Sequence, residues 1–522
     1  MVPIIDRDFL PDRLGKERKH SSKVLVLAMI LIGVLMVGAI AGLMAQIGNT
    51  GQTHPSETPV RVPAGILYTA HDPINIWGNV GFTGPNSSTG ITRGSGTVSD
   101  PYVIEGWEIS WGASFGISIT SADVHFVIHD CYVHDIGMSG VGFYCSRCSN
   151  GTVKDCIFAN DYEGIVLQLS GNNYLVNNSC SGPCYCGIDV AGSDNNSLIN
   201  NNCSKCYDGI GLWGSSNNTL INNNCSGNYF DGMILDVSSN NTISNNTCSN
   251  NSDGIELLYS TNNNTVSNNT CCSNKGRGIH LDVANNNTLI HNNCSSNIDH
   301  GITLDSGSSN NVLIDNTCNS NEYGGIWLDI GINNTLSGNN CSSNYWSGIY
   351  LFTSSNDNTL INNICCSNSH DGIGLDLSSD NNEISLNLIC NNAGYGVNIS
   401  SGSNNRIWNN TFTDSNGAGT TYDPTHVQAY DDGTNNWWNT SGTPHGYGNY
   451  WSDLTTPDAN GDGIVDDPFD YIIAGGAGAK DYYPRTTLSS EPIPEFGMMP
   501  FVVMVLLAMI VIAGETRRKK KS

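Results

Sequence analysis

Positive charge is scarce in this chain. Among 522 residues, 21 Lys and Arg stand against 47 Asp and Glu, for a formal net charge of −26. A nucleic-acid groove needs a basic stripe to neutralise phosphates, so that function is excluded and direct binding of polyanions is disfavoured. Solvation, divalent cations and neutral or cationic glycans remain. Helical patterning is also sparse, and long apolar runs are confined to the two ends, at 24–45 and 498–514.

What the chain has instead is a repeat. A glycine followed by an aliphatic residue recurs thirteen times, from Gly116-Ile117 through Gly254-Ile255, Gly278-Ile279 and Gly301-Ile302 to Gly396-Val397, in steps of 22 to 24 residues. A fixed period of that length marks one supersecondary unit stacked many times. Two residues beyond the aliphatic residue sits another, as in Leu281 and Leu328, which is strand alternation. Two further columns keep the period: Ile109, Val133, Phe158 and then nine cysteines from Cys180 to Cys365; and Ile104, Ile128, Val153 and on to Ile407. Short strands separated by Asn, Gly, Ser and Asp turns, each unable to bury its face alone, predict an all-β parallel β-helix of about 13 coils. At about 4.8 Å per coil the rod is roughly 60 Å long. The recurring pairs such as Asn217-Asn218 read as turn ladders, because Asn tolerates a left-handed backbone and stacked amides bond to one another.

Nine of the nineteen cysteines occupy an inward column and read as small buried hydrophobes. Three other pairs fall in register on adjacent coils: Cys131 with Cys156, Cys184 with Cys206, and Cys366 with Cys390. Strand spacing puts such pairs inside the disulfide window, and an exterior location permits the bond. Cys145 and Cys148 are a fourth pair or half of a metal site. With His125, His129 and His134 they are the residues for copper or zinc.

Chemistry on a β-helix lives on outward positions. Asp282 and Asp305, with Arg277, His280 and His300 alongside, form the constellation for a glycoside hydrolase or polysaccharide lyase, since carboxylates one or two coils apart approach glycosidase separations. Trp327 and Tyr350, with Asp253, Glu256 and Asp329, are the residues for gripping a glycan: rings pack on sugar faces while acids bond hydroxyls. Any aspartate at a fixed place in the repeat yields such a row, so solvation and cation binding compete with both readings. From about Asp414 the period fails. Asp458, Asn460, Asp462, Ile464 and Asp466 then follow the spacing of a calcium loop, without the glutamate at position 12 or the flanking helices of an EF-hand. Trp437, Trp438, Tyr447, Tyr450, Trp451, Tyr482 and Tyr483 read as a cap over the last coil.

Lys16, Arg18, Lys19 and Lys23 precede the first apolar run, and Arg517 to Lys521 follow the second. Basic flanks stay cytoplasmic, so the body is expected outside the cell with both termini inside before any processing. The expected organisation is 1–23 basic segment, 24–45 anchor or cleaved signal, 46–103 cap and linker, 104–413 repeats, 414–488 C-terminal cap with the calcium loop, and 489–522 tail. The ending Pro492-Ile-Pro-Glu-Phe496, an apolar run and a basic cluster resembles archaeal Pro-Glu-Phe sorting tails, which implies a membrane transpeptidase as partner.

Asp100-Pro-Tyr-Val-Ile-Glu-Gly-Trp107, the stretch Asn217-Asn-Thr-Leu-Ile-Asn-Asn-Asn-Cys225, Gly448-Asn-Tyr-Trp-Ser-Asp453 and Asp481-Tyr-Tyr-Pro484 together resemble archaeal NosD-like surface proteins. Over residues 60 to 485 the resemblance implies a right-handed parallel β-helix of the carbohydrate-binding and sugar-hydrolysis repeat type. NosD proteins proper are periplasmic and serve copper-site assembly. This chain departs from them in its two apolar ends, its cysteine-rich core and its 10 methionines. The leading expectation is therefore a membrane-anchored, calcium-stabilised surface protein that binds glycans or envelope components, with an enzyme and a copper-handling protein as alternatives.

Overall fold

The computed structural model describes residues 67–486, apart from 87, 112–113, 138, 441–446, 455–457, 460 and 467–469. Both apolar runs, the sorting tail and Asn460 lie outside the described residues. Among those residues no helix is long and apolar enough to cross a membrane.

The chain winds as an all-β solenoid of about 13 turns. One fifteen-stranded sheet collects the strands that follow the repeat glycines, from Ile74–Trp77 to Ala429–Asp431. A second, also fifteen-stranded, runs from Ile91–Arg93 to Arg406–Trp408. The third side has six strands at one end and four at the other, joined by single bridges such as Thr247 to Thr270. Pairing in the first sheet is parallel and strictly in register: Ile255, Ile279, Ile302, Ile326 and Ile349 are successive partners.

The three inward columns form one continuous core. Ile279, Leu281, Leu289 and Cys294, all 0% exposed, are one coil's share of it. The repeat glycine has a steric cause. A Cβ on Gly254 would stand 2.4 Å from the Gly278 carbonyl oxygen and 2.8 Å from the Cys271 Cβ, so no other residue fits where the chain turns into the first sheet.

The paired asparagines divide their work. The first of each pair, such as Asn240 or Asn263, is exposed and left-handed, at φ 60° and 58°. The second is buried, and its amide runs along the axis. Asn264 accepts the Asn241 backbone N–H at 2.8 Å and donates to Asn287 at 3.1 Å. Parallel ladders pass through Asn269 and Asn274, so each corner of the coil has its own. They satisfy turn N–H groups that the core would otherwise orphan.

All nine cysteines of the inward column are buried free thiols. Cys184–Cys206 and Cys366–Cys390 are disulfides between adjacent coils, each with Cα atoms 4.5 Å apart. The third expected staple is not formed. Cys131 and Cys156 are in register but point into the core, and their thiols turn onto the backbone carbonyls of His129 (3.5 Å) and Lys154 (3.2 Å). Cys145 and Cys148 are likewise buried free thiols.

Winding continues past Thr413. Asn405 and Asn410 hand their ladders to Asn436 (2.9 Å) and Asn449 (3.0 Å), 31 and 39 residues on, so the period lengthens where the sequence pattern is lost. The cap is smaller than the expected aromatic cluster. Trp451 lies between Phe412 (centroids 4.2 Å) and Tyr471 (3.9 Å), with Trp438 beside it. Trp437, Tyr447 and Tyr482 are exposed.

Candidate functional site

Strand alternation presents the even positions of Ile255–Leu258, Ile279–Asp282, Ile302–Asp305, Ile326–Asp329 and Ile349–Phe352 on the outer face of the first sheet. Register then makes two columns. Glu256, His280, Thr303, Trp327 and Tyr350 are successive neighbours, and Asp282 lies directly beside Asp305. The turn entering each strand adds Asp253, Arg277 and His300.

These side chains form one network. His280 bonds through Nδ1 to Glu256 at 3.0 Å and through Nε2 to Asp305 at 3.1 Å. The Arg277 guanidinium lies 3.8 Å from Asp305, 3.8 Å from Asp299 and 4.0 Å from Asp253. Burial pulls the His280 imidazole down, as does the nearby Arg277, but its bonds to Asp305 and Glu256 outweigh both and lift it to about 9. Burial pushes Asp253 up to about 6, against the pull of the Arg277 backbone N–H. Burial also raises Glu256, yet the His280 bond prevails and holds it below its ordinary value. His300 is lowered, chiefly by burial, and its Nδ1 accepts the Gly324 N–H at 3.0 Å.

Asp253, Glu256 and His280 have ligating atoms within 4.8 Å of one another, the spacing of a metal group. Both ring nitrogens of His280 already face carboxylates and Arg277 stands among them, so the arrangement is an ion-pair network rather than an open coordination sphere. The aspartates preceding the repeat glycines also have a fold role: Asp208, Asp231 and Asp371 accept backbone N–H groups of the next coil. Burial lifts Asp231 to about 9, with Glu256, Asp208 and Asp253 adding to the rise.

Trp327 and Tyr350 are brought together, but their faces are covered. Trp327 stacks on Tyr350 at 5.0 Å and 8°, with His300 at 5.1 Å on its other side. Tyr350 in turn lies over Gly374, where an added Cβ would meet its ring at 2.4 Å. Exposed rings stand instead two residues before several of the repeat glycines, a column of which the sequence reading singled out only Trp346. Tyr162, Tyr185, Tyr207 and Phe230 make one run, with successive centroids 5.5, 6.4 and 5.6 Å apart. Tyr323 and Trp346 begin a second. Between the runs the same position holds Ser252, Gly276 and Asp299, beside the charged network. The two runs of rings are therefore separated by four coil steps, about 19 Å, along the axis, with the network on the coils between them. Asp299 and Thr303 were also missed; the only signal for them was their place in the period.

Asp282 and Asp329 each keep a buried Oδ1 without a partner, and so does the Thr303 Oγ1. The histidines proposed for copper do not converge. His129 is taken by Glu105 (2.8 Å) and Asp130 (2.7 Å), and His134 by Asp135 (2.6 Å) and Glu108 (3.4 Å), while Cys145 and Cys148 face the core. In the C-terminal loop Asp458 accepts the N–H groups of Gly461 (2.7 Å), Asp462 (3.1 Å) and Gly463 (2.8 Å), and Asp466 accepts that of Ala459 (2.6 Å).

A parallel β-solenoid with an acidic, aromatic-bounded face is the class these observations define. Residues 141–295 match the right handed beta helix region family, and residues 306–456 match the periplasmic copper-binding protein (NosD) family. Each match spans under a third of the chain. No curated protein matches it. Among solved structures it is similar to the periplasmic alginate epimerase AlgG at 13% identity, over 70% of this chain and 84% of that one, with a TM-score of 0.41. It is also similar to the A-module of the Azotobacter vinelandii mannuronan C-5 epimerase AlgE6 (12%, 64% and 88%, TM-score 0.30) and to the Dettilon tailspike protein (15%, 55% and 62%, TM-score 0.34). No residue role is transferred from them.

Proposed function

We propose that this is a cell-surface β-helix that binds a glycan on the outer face of its first sheet. The observation that carries the reading is the juxtaposition, on five consecutive coils, of a hydrogen-bonded charged network with exposed rings at both ends. Rings supply apolar contact, and fixed acids and bases supply directional bonds to hydroxyls. The NosD-like match and the motifs at 100–107 and 448–453 support a protein of the NosD-like surface type. The apolar runs 24–45 and 498–514 would anchor the body outside the membrane, and the Pro-Glu-Phe tail would be the substrate of a sorting transpeptidase. Asp458, Asp462, the Ile464 carbonyl and Asp466, with Asn460, would hold calcium, which ties the loop to the last coils.

Catalysis is the second reading, and one observation favours it. Asp253 and Glu256 are neighbours with shifts in opposite directions, which divides a proton donor from a carboxylate as acid–base cleavage of a glycosidic bond requires. Asp305, half of the pair expected from the sequence, is instead clamped by His280 and Arg277.

The test is to incubate the full chain with calcium and a polysaccharide panel, then assay retention and small oligosaccharide products by mass spectrometry. Retention without products is the expected result. Products that vanish in Asp253→Asn and Glu256→Gln would make the protein an enzyme. Neither retention nor products would end the glycan reading.

A further inference from the structure

The triplet Asn-x-Ser/Thr, the acceptor signal for an N-linked sugar, recurs through the repeats, and the fold sorts its copies. At the corner between the first and second sheets it stands on five consecutive coils, at Asn195, Asn217, Asn240, Asn263 and Asn286. At the other corners it recurs on at most two coils in a row. All five asparagines are exposed and left-handed, with φ between 57° and 62°. The hydroxyl residues that complete the triplets, Ser197, Thr219, Thr242, Thr265 and Thr288, open the strands of the second sheet and are successive register neighbours. The five triplets therefore stand in line, about 4.8 Å apart. Among the described residues none hydrogen-bonds to those five side-chain amides or to those five hydroxyls. The buried ladder asparagines between them are never acceptors, because the second residue after each is a core side chain: Leu220 after Asn218, Ile243 after Asn241, Val266 after Asn264.

A second observation separates this row from the needs of the turn. A left-handed corner explains the asparagines but not the hydroxyls. The same corner forms at Asn310, Asn381 and Asn404, exposed and left-handed at φ 58°, 57° and 57°, where Val312, Glu383 and Arg406 stand in the hydroxyl's place in the register. The rod thus turns equally well without Ser or Thr two residues on. An unbroken run of hydroxyls over five coils has another cause, and presenting amide and hydroxyl together on an open turn is what a sugar-transferring enzyme reads.

We propose that Asn195, Asn217, Asn240, Asn263 and Asn286 are N-glycosylated, which lays a row of sugar chains along this corner of the rod. The donor is an oligosaccharide linked to a lipid phosphate. Its anomeric carbon bonds to the asparagine Nδ2 as its bond to the phosphate oxygen breaks; the amide gives up one proton, and the lipid phosphate leaves with the bonding pair. None of the five side chains belongs to a buried ladder, so the rod carries the sugars with its corners intact. The proposal rests on the cell-surface reading above, since a surface location is what brings the chain to such a donor, and goes beyond it from sugar bound to sugar carried.

Glycopeptide mass spectrometry of the full chain isolated from its own cells tests it, beside labelling of the intact cells with an amine reagent that cannot cross a membrane. Peptides holding the five asparagines should carry an added oligosaccharide mass, and those holding Asn310, Asn381 and Asn404 should not. Thr265→Val, a side chain this column already accepts at Val312, should abolish the addition at Asn263 alone, and Thr265→Ser should retain it. Addition at Asn310 equal to that at Asn286, or persistence at Asn263 in Thr265→Val, overturns the proposal. Five unmodified asparagines on a chain that is labelled on intact cells overturn it while leaving a surface protein. Five unmodified asparagines on a chain labelled only after lysis overturn the surface reading and the proposal with it.

Discussion

Asn269→Ala should damage the rod far more than Asn268→Ala, although the two residues are adjacent and identical. The Asn269 Oδ1 accepts the Asn246 backbone N–H at 2.9 Å and its side-chain amide at 3.0 Å. Its Nδ2 donates to the Ile243 carbonyl and to the Asn292 Oδ1, both at 3.0 Å. After truncation the Asn246 amide keeps the Leu220 carbonyl and the Asn292 Oδ1 keeps the Asn269 N–H, so those two are rescued. The Asn246 N–H is left unmade, at about 2 kcal/mol, while the Ile243 carbonyl loses a second bond but keeps its place in the strand ladder, at about 1 kcal/mol, so the cost is about 3 kcal/mol. Asn268 is exposed at φ 56°, and alanine there costs only the left-handed strain, about 1 kcal/mol. Because stacked coils open locally, amide hydrogen exchange at Thr242–Ser244 and Thr265–Ser267 is the appropriate assay, with urea unfolding beside it. A loss at Asn269 no greater than at Asn268 would refute the ladder as the source of corner stability.

Other consequences follow from the same structure. Asp161 is buried and pushed up to about 8, with one oxygen unpartnered, so it is protonated in the folded protein. A raised carboxyl stabilises fully below its unfolded value near 4 and loses that contribution as pH rises through 8. Stability should therefore fall between pH 5 and 8, by at most about 4 kcal/mol from this group, and Asp161→Asn should flatten the fall; an unchanged profile in the variant would contradict it. Reducing Cys184–Cys206 and Cys366–Cys390 should cost about 3 kcal/mol each, seen as faster exchange in their own coils, while the buried thiol column stays unreactive to alkylation until unfolding. Calcium should raise the melting temperature of the full chain and not that of Asp458→Ala, read by calorimetry with and without chelator.

The winding was legible because every coil repeats the same three inward columns, and in-register stacking turns a sequence period directly into neighbours. The pairing of His280 with Glu256 follows from that register, whereas its bond to Asp305 is diagonal, two residues beyond its register partner Thr303. Three things were not legible. The last coil is closed by segments 31 and 39 residues long, which no fixed period predicts. Register does not decide whether a cysteine pair bonds: Cys184 and Cys206 are bonded, whereas Cys131 and Cys156, equally in register, stay free thiols. The rings of Trp327 and Tyr350 have the composition of a sugar platform, but stacking on one another spends their faces, and the exposed rings lie before the repeat glycines, at Tyr323 on the same coil as Trp327 and at Phe230 four coils away.

The central claim is that ligand binds the outer face of the first sheet. Amide exchange of the full chain, with and without a saturating oligosaccharide retained from the panel, tests it most directly. Protection confined to Ile255–Leu258, Ile279–Asp282, Ile302–Asp305 and the turns at 230 and 323 is the predicted footprint. Protection centred on the second sheet or the C-terminal cap would contradict the account.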